Sequence, residues 1–463
     1  MGTPSGTQII MNSKTFFTIA LCAAFCYCCA AQTGAEQHKK LIAKTYNSGF
    51  ALGHDTYNAI SAASDGTIYY VLSAEPYNVA GQMFSFDPAT KKISHLGDLT
   101  EASGEKGMKV VSQGKSHVRF IESNGKLYFA THLGYYSTIS GKEEMGIPPA
   151  GYGRYPGGHL LTYDIASGKF ESLAVAPRGE GILAMNMDGT RGRIYFLTWP
   201  TGVFYRFDLA KKELKELGSF FKQGEAGTGP NYRTVCRSIG VDPRDGAAYF
   251  TTGDGAIHRY SYKQDAVETV IGDNLKKDYF GVYDFKSPGN MAYNWRQIVW
   301  NPSDNKFYGV HGNSGYLFSF DPVDERVEVL QRITSEASQH SGMFDQFSYG
   351  YLGFTLGPDG RTLYYLTGGP IYVGGKRLAG KGSTAKGEAM GEEDLHLITY
   401  DIPMAHYTDH GAIFYENGDR PTYVNSIAVG KDGTVYTLAR IREAGVERTD
   451  LISVGPVLGD AAR

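Results

Sequence analysis

Three histidines within the segment 114–164 form the first group of residues that could carry chemistry. Imidazole exchanges protons near neutral pH, so closely placed histidines can act as acid or base. Each one adjoins a run of alternating apolar and polar residues: VRFIE follows His117, KLYFAT precedes His132 and LLTYD follows His159. If these runs are consecutive antiparallel strands, all three histidines lie at one edge of the sheet, with Tyr136 in the connection beside them.

A turn-and-strand signature repeats along the chain and supplies the elements that would position these residues. The turn is usually Asp-Gly or Asn-Gly, which suits a hairpin because both residues tolerate positive φ. A strand such as TIYY or KLYF follows each turn, and a second strand such as FSFD or LTYD follows most of them. The seven turns are Asp65-Gly66, Asn124-Gly125, Arg191-Gly192, Asp245-Gly246, Asp304-Asn305, Asp359-Gly360 and Asp432-Gly433.

Each repeat predicts four antiparallel strands, and seven repeats predict an all-β fold, a seven-bladed β-propeller with four-stranded blades. The seventh repeat lacks a clear fourth strand, which we expect the segment 40–51 to supply and so close the ring. Residues 32–463 then form a single domain. The 59 glycines, 33 tyrosines and 24 phenylalanines agree with short strands joined by glycine turns.

Residues 1–31 have the pattern of a cleaved signal peptide. Lys14 precedes the apolar run FFTIALCAAFCYCCA, which ends in small residues and is too short for a membrane span. We therefore expect a secreted or periplasmic protein. The four cysteines inside the run raise a lipid anchor as an alternative, but the run lacks a leucine-small-small-cysteine pattern. Cys236 is the only cysteine outside this segment, which excludes an internal disulfide in the mature chain. The net charge of −3 gives no reason to expect a nucleic acid partner.

Polar and aromatic residues are concentrated on one face of the predicted disc, where the inner strands begin. These side chains should converge at the mouth of the central channel and form a ligand site. Besides His117 and His132, the candidates for catalysis are Arg233, Tyr136 and Tyr232, with Arg296 as the second choice for the arginine. The candidates for ligand binding are Lys115, His159, Trp199, Arg237, Trp295, Arg296, Gln297, His311, Tyr349, Tyr423 and Asn425.

Structural roles are the alternative for each of these residues. A histidine in a loop commonly pairs with a carbonyl, and the tryptophans and tyrosines could fill the channel and the interfaces between blades. One divalent metal ion near the histidines also stays open, although their order and spacing match no specific ligand pattern. The clustering of cation-capable groups, aromatics and amides on one face favours function.

The exported seven-bladed propeller with histidines, tyrosines and arginines on one face resembles the propeller-type polysaccharide lyases. These include ulvan lyases, oligogalacturonate lyases and lyases that cut rhamnose from glucuronic acid. His117 and His132, 15 residues apart, look like the histidine pair of the ulvan lyases, and Arg233 with Tyr232 look like their later-blade arginine and tyrosine. The resemblance implies β-elimination on a polysaccharide or oligosaccharide that contains uronic acid.

The residue types suit that reaction. An arginine can neutralise the uronate carboxylate, while histidine and tyrosine can remove one proton and donate another. Hydrolysis would need two carboxylates across the bond, and this face offers only Asp55 and Glu180 without an evident pair. A propeller that binds glycan or protein without catalysis is the competing prediction, because the fold alone does not decide function.

Overall fold

The computed structural model describes residues 1–2, 40–140, 142–280, 286, 290–312, 314–340, 352–374, 376–378, 393–443 and 445–458. The chain divides into two compact units, Met1–Gln37 and His38–Arg463. Most of the first unit, including the predicted signal run, lies outside the described residues. The second unit contains all the strands given below.

The described part of the second unit consists mainly of strands. In chain order they are β1 (Leu41–Thr45), β2 (Ile60–Ala62), β3 (Ile68–Leu72), β4 (Gln82–Asp87), β5 (Lys92–Asp98), β6 (Ile121–Ser123), β7 (Lys126–Ala130), β8 (Tyr136–Ile139), β9 (Lys142–Met145), β10 (His159–Asp164), β11 (Lys169–Val175), β12 (Gly181–Asp188), β13 (Arg193–Trp199), β14 (Val203–Asp208), β15 (Glu213–Ser219), β16 (Gly240–Val241), β17 (Ala248–Thr251), β18 (Ile257–Ser261), β19 (Ala266–Thr269), β20 (Trp295–Asn301), β21 (Lys306–His311), β22 (Tyr316–Asp321), β23 (Arg326–Arg332), β24 (Leu352–Leu356), β25 (Thr362–Pro370), β26 (Tyr372–Val373), β27 (Lys376–Arg377), β28 (Glu393–Asp401), β29 (His406–Tyr415), β30 (Ala428–Val429), β31 (Val435–Glu443) and β32 (Val446–Val454).

Helices are short in the same ranges of the chain. The two α-helices are α1 (Leu99–Ala102) and α2 (Glu336–His340). The 3₁₀ turns span Pro177–Gly179, Gly224–Ala226, Gly229–Asn231 and Asp278–Phe280. No helix of the described residues is both long and apolar enough to cross a membrane.

The predicted all-β fold is confirmed, and the sheets are consistent with a propeller. Strands β2 to β5, β12 to β15, β16 to β19 and β20 to β23 form four-stranded antiparallel sheets of consecutive strands. A fifth sheet has the order β11-β10-β7-β6, and the connection between β7 and β10 carries the separate hairpin β8-β9. The last strands form one eight-stranded sheet in the order β24-β25-β28-β29-β1-β32-β31-β30.

The N-terminal strand β1 joins the two halves of the eight-stranded sheet. It pairs antiparallel with β32, where Ala43 lies opposite Val454, so the segment 40–51 supplies a strand to the last repeat as predicted. It also pairs parallel with β29, where Leu41 lies opposite Ile413. The second pairing merges the sixth and seventh repeats, which the sequence repeats had predicted as separate sheets.

Local turn chemistry explains the hairpins. Asn124 and Gly125 adopt φ of 52° and 72° between β6 and β7, as an Asn-Gly turn requires. Buried tyrosines and phenylalanines fill the space between neighbouring sheets; Tyr195 and Tyr260, for example, lie with ring centroids 5.1 Å apart. The apolar side chains of the strands form the packed core. The loops at the strand ends are not needed for that packing and can therefore form a site.

Candidate functional site

A cavity lies at the loops that precede β6 and follow β7, and it encloses about 720 Å³ with its open mouth included. Its wall is polar and aromatic. The residues that line it are Asp55, Tyr57, Asn58, Glu75, Lys115, His117, His132, Tyr136, Glu143, Leu183, Trp199, Glu225, Arg237, Arg296 and Tyr423. Eight of the residues predicted from the sequence are therefore brought together here, namely Lys115, His117, His132, Tyr136, Trp199, Arg237, Arg296 and Tyr423.

The backbone fixes two of these residues directly. Lys115 and His132 form an isolated antiparallel bridge, in which each amide donates to the carbonyl of the other at 2.8 and 2.7 Å. Gly181, the first residue of β12, packs against the His132 ring so closely that a Cβ there would lie 2.6 Å from Cδ2. The position of the His132 ring is thus set by its own backbone and by a neighbouring sheet.

His117 and His132 form the centre of the cavity. Their ring centroids are 4.3 Å apart at an interplanar angle of 37°, and Tyr57 stacks on His117 at 4.7 Å and 13°. The Nδ1 atom of His132 lies 2.9 Å from the Leu133 carbonyl. A carbonyl only accepts, so Nδ1 carries the proton and Nε2 keeps its lone pair. The Nε2 atoms of both histidines are buried without a hydrogen-bond partner among the described residues.

Both imidazoles are held in the neutral form. Burial lowers the pKa of His132 to about 3, and the nearby positive charges of Lys115 and Arg237 act in the same direction. Burial also lowers the pKa of His117 well below its ordinary value, assisted by His132 and by the cations. Neutral imidazoles with unpaired nitrogen atoms can accept a proton from a ligand.

Tyr136 lies on the other side of His132. Its hydroxyl is 3.1 Å from His132 Nδ1 and donates to the Leu133 carbonyl at 2.9 Å. The ammonium group of Lys115 lies 4.8 Å from the centroid of the Tyr136 ring. The rings of Trp199 and Tyr136 pack edge to face, with their centroids 5.6 Å apart. Burial raises the pKa of Tyr136 well above 10, so the hydroxyl retains its proton at neutral pH.

A second group of side chains supports the opposite wall. The hydroxyls of Tyr57 and Tyr423 are hydrogen-bonded, and the Arg440 guanidinium lies 4.7 Å from the Tyr423 ring centroid. Asp55 holds Arg440 through two hydrogen bonds of 2.7 and 2.5 Å. Tyr57 and therefore His117 are positioned by residues from the first and last repeats of the chain.

Carboxylates are more numerous in the cavity than the sequence analysis predicted. Glu75, Glu143 and Glu225 line it together with Asp55. Glu225 accepts from Trp199 Nε1 at 2.9 Å and pairs with Arg237 at 2.5 Å. Glu75 comes from a loop, Glu143 from strand β9 and Glu225 from the 3₁₀ turn Gly224–Ala226, and none of the three was predicted from the sequence.

Glu180, the other carboxylate expected at this face, lies elsewhere. It accepts hydrogen bonds from Thr198 and Thr201 at 2.5 and 2.8 Å and does not line the cavity. Of the two carboxylates expected at this face, Asp55 lines the cavity and Glu180 does not, while three glutamates that were not expected also line it.

The arginine preferred from the sequence is not at the cavity. Arg233 Nη1 donates to the carbonyls of Pro230 and Tyr232 at 3.0 and 2.6 Å, and neither Arg233 nor the buried Tyr232 lines the wall. The strand that follows is only Gly240–Val241, so the chain reaches the sheet later than the pattern suggested. Arg237 occupies the cavity in place of Arg233.

Three other predicted binding residues are engaged in the interior. His159 lies between Glu105 at 2.8 Å and Ser172 at 2.7 Å. His311 pairs with Ala292 and Ser314 and stacks on a phenylalanine ring, which gives it a structural role. Trp295 is fully buried and donates to the Ser238 carbonyl at 2.8 Å.

The remaining predicted residues lie near the cavity or beyond the described chain. Gln297 donates to Asn58 at 2.8 Å and lines an adjoining channel. Asn425 is buried beside Tyr57, with which it forms a parallel bridge, but does not line the wall. Tyr349 lies outside the described residues.

The open alternative of a divalent metal ion receives no support from the donor set. Within the described ranges, no three His, Cys, Asp or Glu side chains are grouped so as to hold a metal ion. The rings of His117 and His132 are tilted by 37° to each other, with centroids 4.3 Å apart.

Comparison with known proteins identifies no family. No protein-family model matches the chain, and no curated protein matches its sequence. Among solved structures, the extracellular domain of a hybrid two component system from B. thetaiotaomicron has a TM-score of 0.45 and 13% identity over 87% of this chain and 40% of its own. The chain thus spans less than half of that protein.

Two further solved structures are similarly distant. A chain of the Mitotic Checkpoint Complex has a TM-score of 0.46 and 10% identity, with 97% of this chain and 99% of its own covered. An auxiliary nutrient binding protein from Bacteroides thetaiotaomicron VPI-5482 has a TM-score of 0.39 and 12% identity, with 87% and 69% covered. Likenesses at this level identify neither a family nor a function, which leaves the geometry of the cavity to support a proposal.

Proposed function

We propose that the sheets are the blades of one seven-bladed propeller. The five four-stranded sheets supply five blades, and the eight-stranded sheet supplies two, β24-β25-β28-β29 and β30-β31-β32-β1. The antiparallel pairing of β1 with β32 would close the ring. A crystal structure with six or eight blades would contradict this count.

We propose further that the cavity is the active site of an exported polysaccharide lyase, which cleaves uronic-acid-containing glycans by β-elimination. One observation carries the proposal. His117 and His132 line one cavity with their ring centroids 4.3 Å apart, and their Nε2 atoms have no hydrogen-bond partner among the described residues. Arg237 and Arg296 line the same cavity. A glycan-binding module would need only aromatic side chains on which sugar rings can stack. It would not need proton-transfer groups and cations that converge on one space.

The elimination needs a cation at the uronate carboxylate. Neutralising this group makes the adjacent C–H proton removable, because the negative charge that develops is stabilised. Arg237 and Arg296 replace Arg233 as the candidates, since both line the cavity and the charge of each lowers the pKa of His117. Arg237 also pairs with Glu225, and Lys115, a third cation of the wall, lies against Tyr136.

The neutral histidines keep a lone pair that is available for the role of the base. An imidazole Nε2 would take the proton beside the carboxylate, the electron pair would form the carbon–carbon double bond, and the glycosidic C–O bond would break. The leaving oxygen then needs a proton. Because neither histidine carries an extra proton at neutral pH, the Tyr136 hydroxyl is the better donor. This changes the assignment from a pair of histidines to one histidine base and one tyrosine acid.

Glycoside hydrolysis is the second candidate function, and the carboxylates of the cavity favour it. Asp55, Glu75, Glu143 and Glu225 line the wall, and hydrolysis by acid and base or nucleophile needs two carboxylates. Asp55 and Glu225 bind Arg440 and Arg237, and Glu75 lies 3.2 Å from His54 Nδ1, so replacing each of the four carboxylates in turn tests this reaction. A non-catalytic glycan- or protein-binding propeller is the outcome if no polymer is cut.

The experiment is a screen of the protein against uronic-acid polysaccharides, with ultraviolet absorbance to detect an unsaturated product. The H132A and H117A variants serve as controls for the site. Cleavage with unsaturated ends supports elimination, whereas cleavage with only saturated ends supports hydrolysis. Binding of a polymer without cleavage would refute both enzyme proposals.

A further inference from the structure

A channel adjoins the cavity and contains an arginine, Arg119, that forms no ion pair with the described residues. It encloses about 940 Å³ of space, open regions included, and shares Asn58, His117 and Arg237 with the cavity wall. Apolar side chains such as Val118 and Ile298 line much of it. The wall of the channel therefore combines apolar side chains with polar ones and with the charged side chains of Arg119, Glu122 and Arg237.

Arg119 lines the channel and its guanidinium is bound to β24. Its Nη1 atom donates to Thr355 Oγ1 at 3.1 Å and its Nη2 atom to the Phe354 carbonyl, both on β24. Its Nε atom is buried and has no hydrogen-bond partner in the described part of the chain. Both partners of the guanidinium are neutral.

No carboxylate compensates this charge within the described residues. Glu122 lines the same channel, but it accepts from the amide and the hydroxyl of Ser64. Burial lowers the pKa of Arg119 to about 10, and no acidic group opposes that effect. The guanidinium still carries its charge at neutral pH, and a buried charge without a counter-charge is costly.

We propose that Arg119 forms the centre of an anion site in the channel, which takes a small monovalent inorganic ion such as chloride. A halide can accept from the unused N–H groups of the guanidinium while it contacts the apolar wall. A halide needs fewer hydrogen-bond donors than a phosphate or a sulfate does. This suits a site in which one guanidinium supplies only a few such donors. The site is independent of glycan cleavage and would exist in a protein without catalytic activity.

Thermal unfolding of the protein in sodium chloride and in sodium gluconate of equal ionic strength tests the proposal. Gluconate is too large and too hydrated to replace chloride at this site. We expect a saturable rise in Tm of roughly 1–3 °C in chloride. R119M keeps an apolar stem without the charge and should lose this rise. R361M, which removes an exposed arginine bound to Asp401, should retain it.

Diffraction from wild-type crystals soaked in bromide gives a second measurement, which does not require that the R119M variant folds. An anomalous peak within about 3.5 Å of the Arg119 guanidinium would support the site. The proposal is overturned if wild-type Tm depends only on ionic strength, if R119M keeps the chloride effect, or if bromide appears only elsewhere. In each of those results, Arg119 serves as a brace between its own segment and β24.

Discussion

Lowering the pH should destabilise this protein through histidines that are buried in the neutral form. His132 is 1% exposed and His311 is fully buried, and burial lowers the pKa of each to about 3. In the unfolded chain the same imidazoles titrate at about 6.5. Between these two values the unfolded state binds a proton that the folded state does not, so stability falls as the pH falls below 6.5.

The size of the effect follows from the same pKa values. At pH 5 an unfolded histidine is almost fully protonated, which favours unfolding by about 2 kcal/mol for each histidine that stays neutral in the fold. H132N keeps a donor for the Leu133 carbonyl and removes the titrating ring. H311Q does the same for the Ala292 carbonyl. Each variant should reduce the stability lost between pH 7 and pH 5 by about 2 kcal/mol.

Urea unfolding at pH 7 and pH 5, followed by fluorescence and circular dichroism, measures these differences. Coincident transitions from the two probes are required before free energies are compared. H95N, at a histidine exposed on β5, is measured alongside as the control for replacing an imidazole at the surface. If H132N loses as much stability as the wild type between the two pH values, His132 is not a buried neutral imidazole and cannot be the base described above.

The other predictions concern the cavity and are measured on whichever polymer is cleaved. Replacing the histidine that serves as the base, in either H117A or H132A, should lower kcat by about 10²–10⁴-fold, and full activity in both variants would refute the assignment. G181A should lower kcat at least about tenfold, because the added Cβ would lie 2.6 Å from the His132 ring; unchanged kinetics would show that the ring position is unimportant. Y136F should lower kcat more than it changes KM, and an unaltered kcat would assign the acid elsewhere. As the pH is lowered, kcat/KM should fall only below pH 6, because the histidine base stays neutral well below the ordinary pKa of an imidazole. A fall centred near pH 6.5 would contradict this.

The strands could be predicted from the sequence because their signals are local. An Asn-Gly turn and two alternating runs fix a hairpin without information from the rest of the chain, as at Asn124 and Gly125 between β6 and β7. The pairing of β1 with β32 was also predictable, because the last repeat lacked a strand. The parallel pairing of β1 with β29 depends on how two sheets approach each other, which no local pattern encodes.

The cavity was predictable only where its residues adjoin strands. His117 and His132 followed from the position of β6 and β7, and Tyr136 from the connection after them. Arg233 failed because the turn at Gly229–Asn231 directs its side chain to the Pro230 carbonyl, a tertiary detail of one loop. Glu75, Glu143 and Glu225 were missed because the connections that carry them lie outside the repeated turn-and-strand pattern.

Product analysis by mass spectrometry tests the central claim most directly. The protein is incubated with a polymer that contains uronic acid, and the new non-reducing ends are examined beside H117A and H132A controls. Elimination predicts oligosaccharides one water lighter than the hydrolysis products, with ultraviolet absorbance that rises in step and is lost in the variant that lacks the histidine base. Oligosaccharides of the full hydrolytic mass, without absorbance, would contradict β-elimination and assign the cavity to its carboxylates.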